Sequence, residues 1–275
     1  MADQRQQVDN KLAKKLSILL GVDSFSYMVC GAERVLQQYF THTFKQAQGK
    51  HPDELSDLLY RHRAILDPSS YQQVEVGIFQ PIFTVVPDRL YQNGQDAAYI
   101  EHLTPLQEQY ALRSESLTDL KARFIYAVPR ASLRLLQQQF ATAEPKHLVA
   151  ALTQQFPRLI DLREGPHLLC YITDKRVLLV AYANGDFLFA NSFGFRSSND
   201  FIYYVLLAFD QLKMDPYEAN VYYSGKLAEE GEIHKLLHRY IDKVQPLPLP
   251  EEYTLRGDLK QHPAYYYLDL LSLLM

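Results

Sequence analysis

The sequence predicts a duplicated α/β protein, two mixed sheets flanked by helices, and three observations carry that expectation. Residues 167–193 read as three successive strands, over 168–173, 176–183 and 186–191, joined by the short turns Thr173-Asp174-Lys175 and Ala183-Asn184-Gly185. β-branched and aromatic residues fill these runs, and Asn-Gly is a strong hairpin signal. Ser197-Ser198-Asn199-Asp200 then opens an apolar helix, with a further strand at 220–223. The beginning of the chain follows the same plan of meander, helix and strand.

Taken in order, residues 1–13 are polar and expected to fray. Strands follow at 15–21 and 25–29 around Val22-Asp23-Ser24, and Cys30-Gly31-Ala32-Glu33 turns into a third strand over 34–44. After a polar loop at 46–51, Pro52, Asp53 and Glu54 suit the first turn of a helix whose apolar face is Leu55, Leu58, Leu59 and Ile65. Asp67-Pro68-Ser69-Ser70 ends it. Short strands follow at 74–79 and 82–86, then a helix at 95–103. The polar stretch 104–118 carries no clear pattern. A strand at 122–127 and helices near 131–140 and 146–156 complete this half, the last helix closed by Pro157.

In the second half, the helix over 200–212 carries Phe201, Tyr204, Val205, Ala208, Phe209 and Leu212, and Asp215-Pro216 breaks it. The helix over 230–242 keeps Ile233, Leu236, Leu237, Tyr240 and Ile241 on one face. Pro246 to Pro250 is extended, and a terminal helix is expected over 263–274. Arg163-Glu164-Gly165-Pro166 marks the expected boundary, giving lobes 1–163 and 164–275. From Asp23 to Gly31 is eight positions and from Asp174 to Gly185 eleven, so the repeat is one of architecture.

Bulk properties narrow the function. The 275 residues are 47% hydrophobic and 22% charged, the composition of a folded domain. A net charge of −4 disfavours nucleic-acid binding by bulk electrostatics, so no direct nucleic-acid partner is expected. No apolar run reaches the roughly 20 residues of a membrane span. The run after Lys14-Lys15 ends at Asp23 and is too short for a secretion signal, so a cytoplasmic protein without membrane contact is expected. Cys30 and Cys170 each fall in or beside a strand, as buried reduced thiols would.

The segments LSILLGVDSFSYMV (16–29), FANSFGFRSSNDFIYYVLLAFDQLKMD (189–215), VYYSGKL (221–227) and HRYIDKV (238–244) resemble an uncharacterised bacterial family, a domain of unknown function with an actin-like ATPase fold. The resemblance spans nearly the whole chain. It implies a duplicated ribonuclease-H-like fold, because the actin-like fold doubles that unit. It also implies a place for a nucleotide. Actin-like ATPases set a hairpin at the start of each half around the phosphates, with an Asp and a nearby Gly that lets backbone N–H groups approach. Asp23 stands in that place in the first half, with a hydroxyl at Ser26 and Phe25 where the glycine would follow. In the second half Asp174 is followed by Lys175-Arg176. The adenosine motif is a small-Gly-Gly turn, of which Ser224-Gly225-Lys226 keeps two members.

The nucleotide-binding candidates are therefore Asp23, Ser26, Asp174, Ser224 and Gly225, each in an incomplete motif. The expected function is a non-catalytic actin-like scaffold or interaction module that binds a protein partner, with no cofactor. The enzymatic alternative is an ATP-binding switch or weak ATPase that uses ATP and Mg2+ in the cleft between the lobes. A nuclease of the ribonuclease H type needs several convergent acids, and only Asp23 is suitably placed. Asp23 and Asp174 also have an ordinary reading as turn residues that bond their own backbone. His234 and His238 stand at i and i+4, the spacing of a zinc pair. With Lys235 where a metalloprotease carries Glu, they read as partly exposed helix histidines. The Tyr203-Tyr204, Tyr222-Tyr223 and Tyr265–Tyr267 clusters are suited to packing or to a partner surface.

Overall fold

A computed structural model describes residues 14–45 and 52–275. The polar segment 1–13 and the loop 46–51 lie outside the described residues. The chain divides into two compact units. The first runs through Ala151 and takes up Glu251–Gln261 and Leu270–Met275; the second comprises Leu152–Pro250 and His262–Asp269. The sequence placed one cut after residue 163, whereas the compact units part after Ala151 and share the C-terminal stretch between them.

In the first unit, β1 (Lys15–Leu20), β2 (Ser24–Cys30) and β3 (Val35–Thr43) form an antiparallel meander. Helix α1 (Pro52–Arg61) buries Leu55, Leu58 and Leu59, and β4 (Gln73–Ile78) then pairs parallel to β1. An insertion follows, built on β5 (Phe83–Pro87), α2 (Asp96–Glu101), β6 (Tyr110–Leu117) and β7 (Ala122–Pro129). Its three strands form their own sheet in the order β5-β7-β6. Helix α3 (Arg130–Gln139) leads to the two-residue β8 (Lys146–His147), parallel to β4.

The second unit repeats this plan. Helix α4 (Leu148–Leu159) precedes the second meander, strands β9 (Pro166–Ile172), β10 (Arg176–Ala183) and β11 (Asp186–Gly194), and α5 (Ser198–Leu212) returns the chain to β12 (Asn220–Gly225). Helix α6 (Glu232–Tyr240) connects to β13 (Lys243–Pro246), parallel to β12. The first sheet contains the order β3-β2-β1-β4-β8, with the short β14 (Thr254–Leu255) outside β3; the second is β11-β10-β9-β12-β13. With the insertion strands β5 to β7 set aside, each reads third, second, first, fourth, fifth strand of its unit. Asn184 and Gly185 both take positive φ, the type of backbone that an Asn-Gly hairpin turn requires. Ser197 and Asp200 form a full capping box at the start of α5.

Three expectations change. The polar stretch 104–118 contains β6, which pairs with β7 from Tyr110↔Pro129 to Leu117↔Ala122. It is an edge strand, so polar Arg113, Ser114 and Ser116 cost little there. The helix expected at 146–156 starts later, as α4 (Leu148–Leu159), and carries Pro157 inside it. Proline cannot donate to the carbonyl four residues back, which is Thr153. That carbonyl accepts instead from the Tyr182 hydroxyl at 2.8 Å, so the break costs no buried acceptor. The terminal helix is interrupted: a 3-10 turn at Ala264–Tyr267 precedes α7 (Leu268–Leu274).

The core of the first unit is formed by Leu16, Ile18, Leu20, Phe25, Tyr27, Val76, Ile78 and Val128 with the inner faces of α1 and α3. α7 lies over this sheet: the Ser17 hydroxyl donates to the Leu270 carbonyl at 2.7 Å. A Cβ on Gly77 would stand 2.5 Å from Leu273, so the glycine makes room for that leucine. Cys30 and Cys170 are buried free thiols. No helix among the described residues is long and apolar enough to cross a membrane.

Candidate functional site

Each meander opens with a three-residue turn, and the hydrogen bonds put the two turns in one register. The Gly21 N–H donates to the Ser24 carbonyl at 2.8 Å, and the Thr173 N–H to the Arg176 carbonyl at 2.9 Å. Leu20 pairs with Phe25 as Ile172 pairs with Val177. Gly21-Val22-Asp23 thus matches Thr173-Asp174-Lys175, and the position of Asp23 is held in the second turn by Lys175. The neighbouring parallel strands repeat the match. The Phe79 N–H donates to the Leu20 carbonyl at 2.9 Å, and the Lys226 N–H to the Ile172 carbonyl at 2.7 Å.

Asp23 is half-buried, and its carbonyl accepts from the Phe44 N–H at 2.8 Å. The Phe25 side chain turns away from the turn into the core and is fully buried, edge-on to Tyr27. Ser26 is buried on the opposite face of β2, as strand alternation requires. In the first turn, then, the aromatic ring that stands where glycine was expected belongs to the core, and Gly21 and Val22 of the turn are themselves buried.

The second unit brings the other three candidates together. Asp174 follows β9, and Ser224-Gly225 end β12, its parallel neighbour, with Gly225 paired to Ile172. Carboxyl ends of adjacent parallel strands are the usual ligand edge of an α/β sheet. Here the Asp174 carboxylate accepts from the Lys226 ammonium at 2.7 Å, both groups being partly exposed. The Ser224 hydroxyl is fully buried and donates to the Tyr265 carbonyl at 2.8 Å. Gly225 has φ +85°, and a Cβ there would stand 2.3 Å from the Ile172 carbonyl oxygen. Both the positive φ and this close strand approach call for glycine.

A pocket of about 490 Å3 opens at this edge, lined by Asp174, Lys226, Glu229, His262, Tyr265 and Tyr266 among others. The turn at 264–267 forms one wall. The Tyr265 hydroxyl donates to the Leu227 carbonyl at 3.0 Å, and burial, then nearby Glu229, pushes its phenol up to about 12. It therefore stays a neutral donor. Tyr171 donates to Asp269 at 2.8 Å and fixes the far end of the same segment. His262 stacks on Tyr266 with ring centres 4.5 Å apart.

The matching strand end in the first unit is closed differently, by residues that sequence reasoning did not single out. Phe79 takes the place of Lys226 and is buried. The His147 ring beyond it is enclosed by Phe79, Phe83, Phe124 and Tyr126. Its Nδ1 accepts from the Val149 N–H at 3.2 Å, its Nε2 lies 3.0 Å from the Gln80 carbonyl, and burial lowers its pKa to about 3. The Glu115 carboxylate accepts the His147 backbone N–H at 2.9 Å, and burial raises it to about 7. No motif signals this pair, because Glu115 and His147 are 32 residues apart and stand on strands of two different sheets. Among the described residues no group of three or more His, Cys, Asp or Glu is gathered to hold a metal ion.

Two copies of a 3-2-1-4-5 sheet, each headed by a three-residue hairpin turn, define a protein of the actin-like ATPase fold. The chain belongs to the family described as Protein of unknown function (DUF3822), whose model matches residues 3–244. Among solved structures it is similar to a Bacteroides thetaiotaomicron protein with actin-like ATPase fold and unknown function, at 20% identity and TM-score 0.78, over 97% of each chain. It is also similar to a chain of a PilM-PilN type IV pilus biogenesis complex, at 13% identity and TM-score 0.59, over 96% of this chain and 98% of that one. At these identities both likenesses show the fold alone. Among curated proteins there is no significant match.

Proposed function

We propose that this protein is a non-catalytic actin-like module that works by binding a protein partner, its nucleotide site having lost the groups that would hold a metal–phosphate. The observation that carries this reading is the pairing of Asp174 with Lys226 at 2.7 Å. An ammonium beside the carboxylate opposes the approach of a second cation such as Mg2+. The register supports it too, since the counterpart of Asp23 is Lys175. The Ser224 hydroxyl is committed to Tyr265, and Gly225 answers a local steric demand. A fold neighbour is part of a type IV pilus biogenesis complex, so proteins of this fold do serve in protein assemblies. The partner belongs to the proposal only as a protein, in keeping with the acidic net charge.

Calorimetric titration with ATP and Mg2+ tests the loss of the site. No heat beyond dilution is expected at 100-fold ligand excess. Micromolar affinity that falls on Asp23→Ala would overturn the reading. The pocket at the ends of β9 and β12 favours a second reading, an ATP-binding switch or weak ATPase. Lys226 on its wall is a group suited to a phosphate. That reading requires phosphate release above buffer and a thermal shift on addition of ATP–Mg2+.

A further inference from the structure

On helix α6, His234 and His238 lie one turn apart and their Nε2 atoms are 3.2 Å from each other. Two nitrogens bound to one tetrahedral zinc ion at about 2.0–2.1 Å stand about 3.3 Å apart. The ring planes are inclined at 59°, with centres 4.4 Å apart, so the two imidazoles stand side by side with their Nε2 atoms at that separation. The pair is also supported from below. Buried Tyr223 meets the His234 ring edge-on at 5.8 Å, and buried Leu237 anchors the helical turn that separates the two histidines. His238 is exposed, which leaves the pair open to solvent.

We propose that His234 and His238 form a two-imidazole chelate for a divalent transition-metal ion, zinc in particular. The ion takes the place of the hydrogen that the two Nε2 atoms share. The ring that carried that hydrogen on Nε2 takes a proton on Nδ1 instead, so both rings bind as neutral Nδ1–H tautomers and no net proton is released. With no third protein ligand gathered nearby among the described residues, the remaining positions are open to water or to a donor brought by another molecule. The site belongs to the second unit alone and is independent of the reading of the nucleotide site.

Titration of the full chain with zinc chloride, followed by calorimetry, tests it. The expected result is one ion bound per chain, with affinity at least about tenfold weaker in His238→Ala, because one imidazole no longer profits from the other. His234→Gln, chosen because the half-buried ring needs a polar substitute of similar reach, is expected to weaken it as much. His102→Ala, an exposed histidine of the other unit, is expected to leave it unchanged. Copper(II) should broaden amide resonances of α6 and spare those around His102. Uptake by the wild type equal to that of the His234→Gln/His238→Ala double variant, or broadening centred away from α6, would overturn the proposal.

Discussion

The two units have the same backbone register, yet they treat the carboxyl ends of their parallel strands in opposite ways. In the first, the turn carries Asp23 without a side-chain partner among the described residues, and the adjoining strand runs into the buried Phe79-Gln80-His147 cluster. In the second, the turn's Asp174 is tied to Lys226, and the strand end lies beneath the turn at 264–267. One register thus supports an apolar closure around a neutral imidazole in one copy and a polar, ion-paired pocket in the other. Strand pairing and local chemistry are separable. The first is specified by backbone and apolar alternation, the second by a few side chains at the strand ends.

The largest effect expected from breaking this contrast is at Gly225. Gly225→Ala combines positive φ with a Cβ 2.3 Å from a backbone oxygen that cannot give way. It is expected to cost about 3–4 kcal/mol in urea denaturation. Gly185 has the same φ of 85° and open space around it, so Gly185→Ala should cost only about 1 kcal/mol. Equal losses at the two sites would mean that close packing at the end of β12 is not what the glycine serves.

The next largest effect concerns pH and the first unit. Burial raises the Glu115 carboxyl from 4.5 to about 7, so the folded state binds this proton more tightly than the unfolded chain. Stability from this group is full at low pH and is lost as pH rises through about 7. Glu115→Gln should therefore match the wild type near pH 4 and exceed it by about 2–3 kcal/mol above pH 7. His147 acts in the opposite sense, its stabilising neutral form being lost to the unfolded chain as pH falls below 6.5 toward about 3. The difference between wild type and Glu115→Gln isolates the carboxyl. A difference that does not change with pH would remove the buried carboxyl from the contrast.

Smaller effects are expected in the polar pocket. Ser224→Ala leaves the Tyr265 carbonyl without its buried donor and should cost about 1–2 kcal/mol. Lys226→Ala removes a partly exposed ion pair and should change stability by less than about 1 kcal/mol. Its value lies in ligand titration. If Lys226 is what silences Asp174, the variant gains heat on ATP–Mg2+ addition that the wild type lacks. An unchanged null titration would place the loss in the turn sequence itself.

Much of the fold was legible because it depends on local signals. Asn184-Gly185 specified its hairpin, Ser197 and Asp200 their cap, and the apolar runs of the meanders their strands. β6 was not legible, since an edge strand has no need of a buried face on both sides and Arg113 to Ser116 read as loop. Pro157 read as a helix end because its remedy, the Tyr182 hydroxyl on the Thr153 carbonyl, comes from 29 residues away.

The candidate site divides in the same way. By itself the sequence determined that Asp23 and Asp174 sit in turns that open the two meanders, and that Ser224-Gly225 end a strand. Only the tertiary structure decided what those groups touch. The register sets Lys175, and not Asp174, in the place of Asp23, and it turns Phe25 inward. Lys226 meets Asp174 from a distance of 52 residues, and Tyr265 meets Ser224 from 41. Turn and strand propensities act over a few neighbouring residues and are written in sequence. Ion pairs and buried hydrogen bonds form between segments that the folded chain brings together, so their partners are read only from the fold.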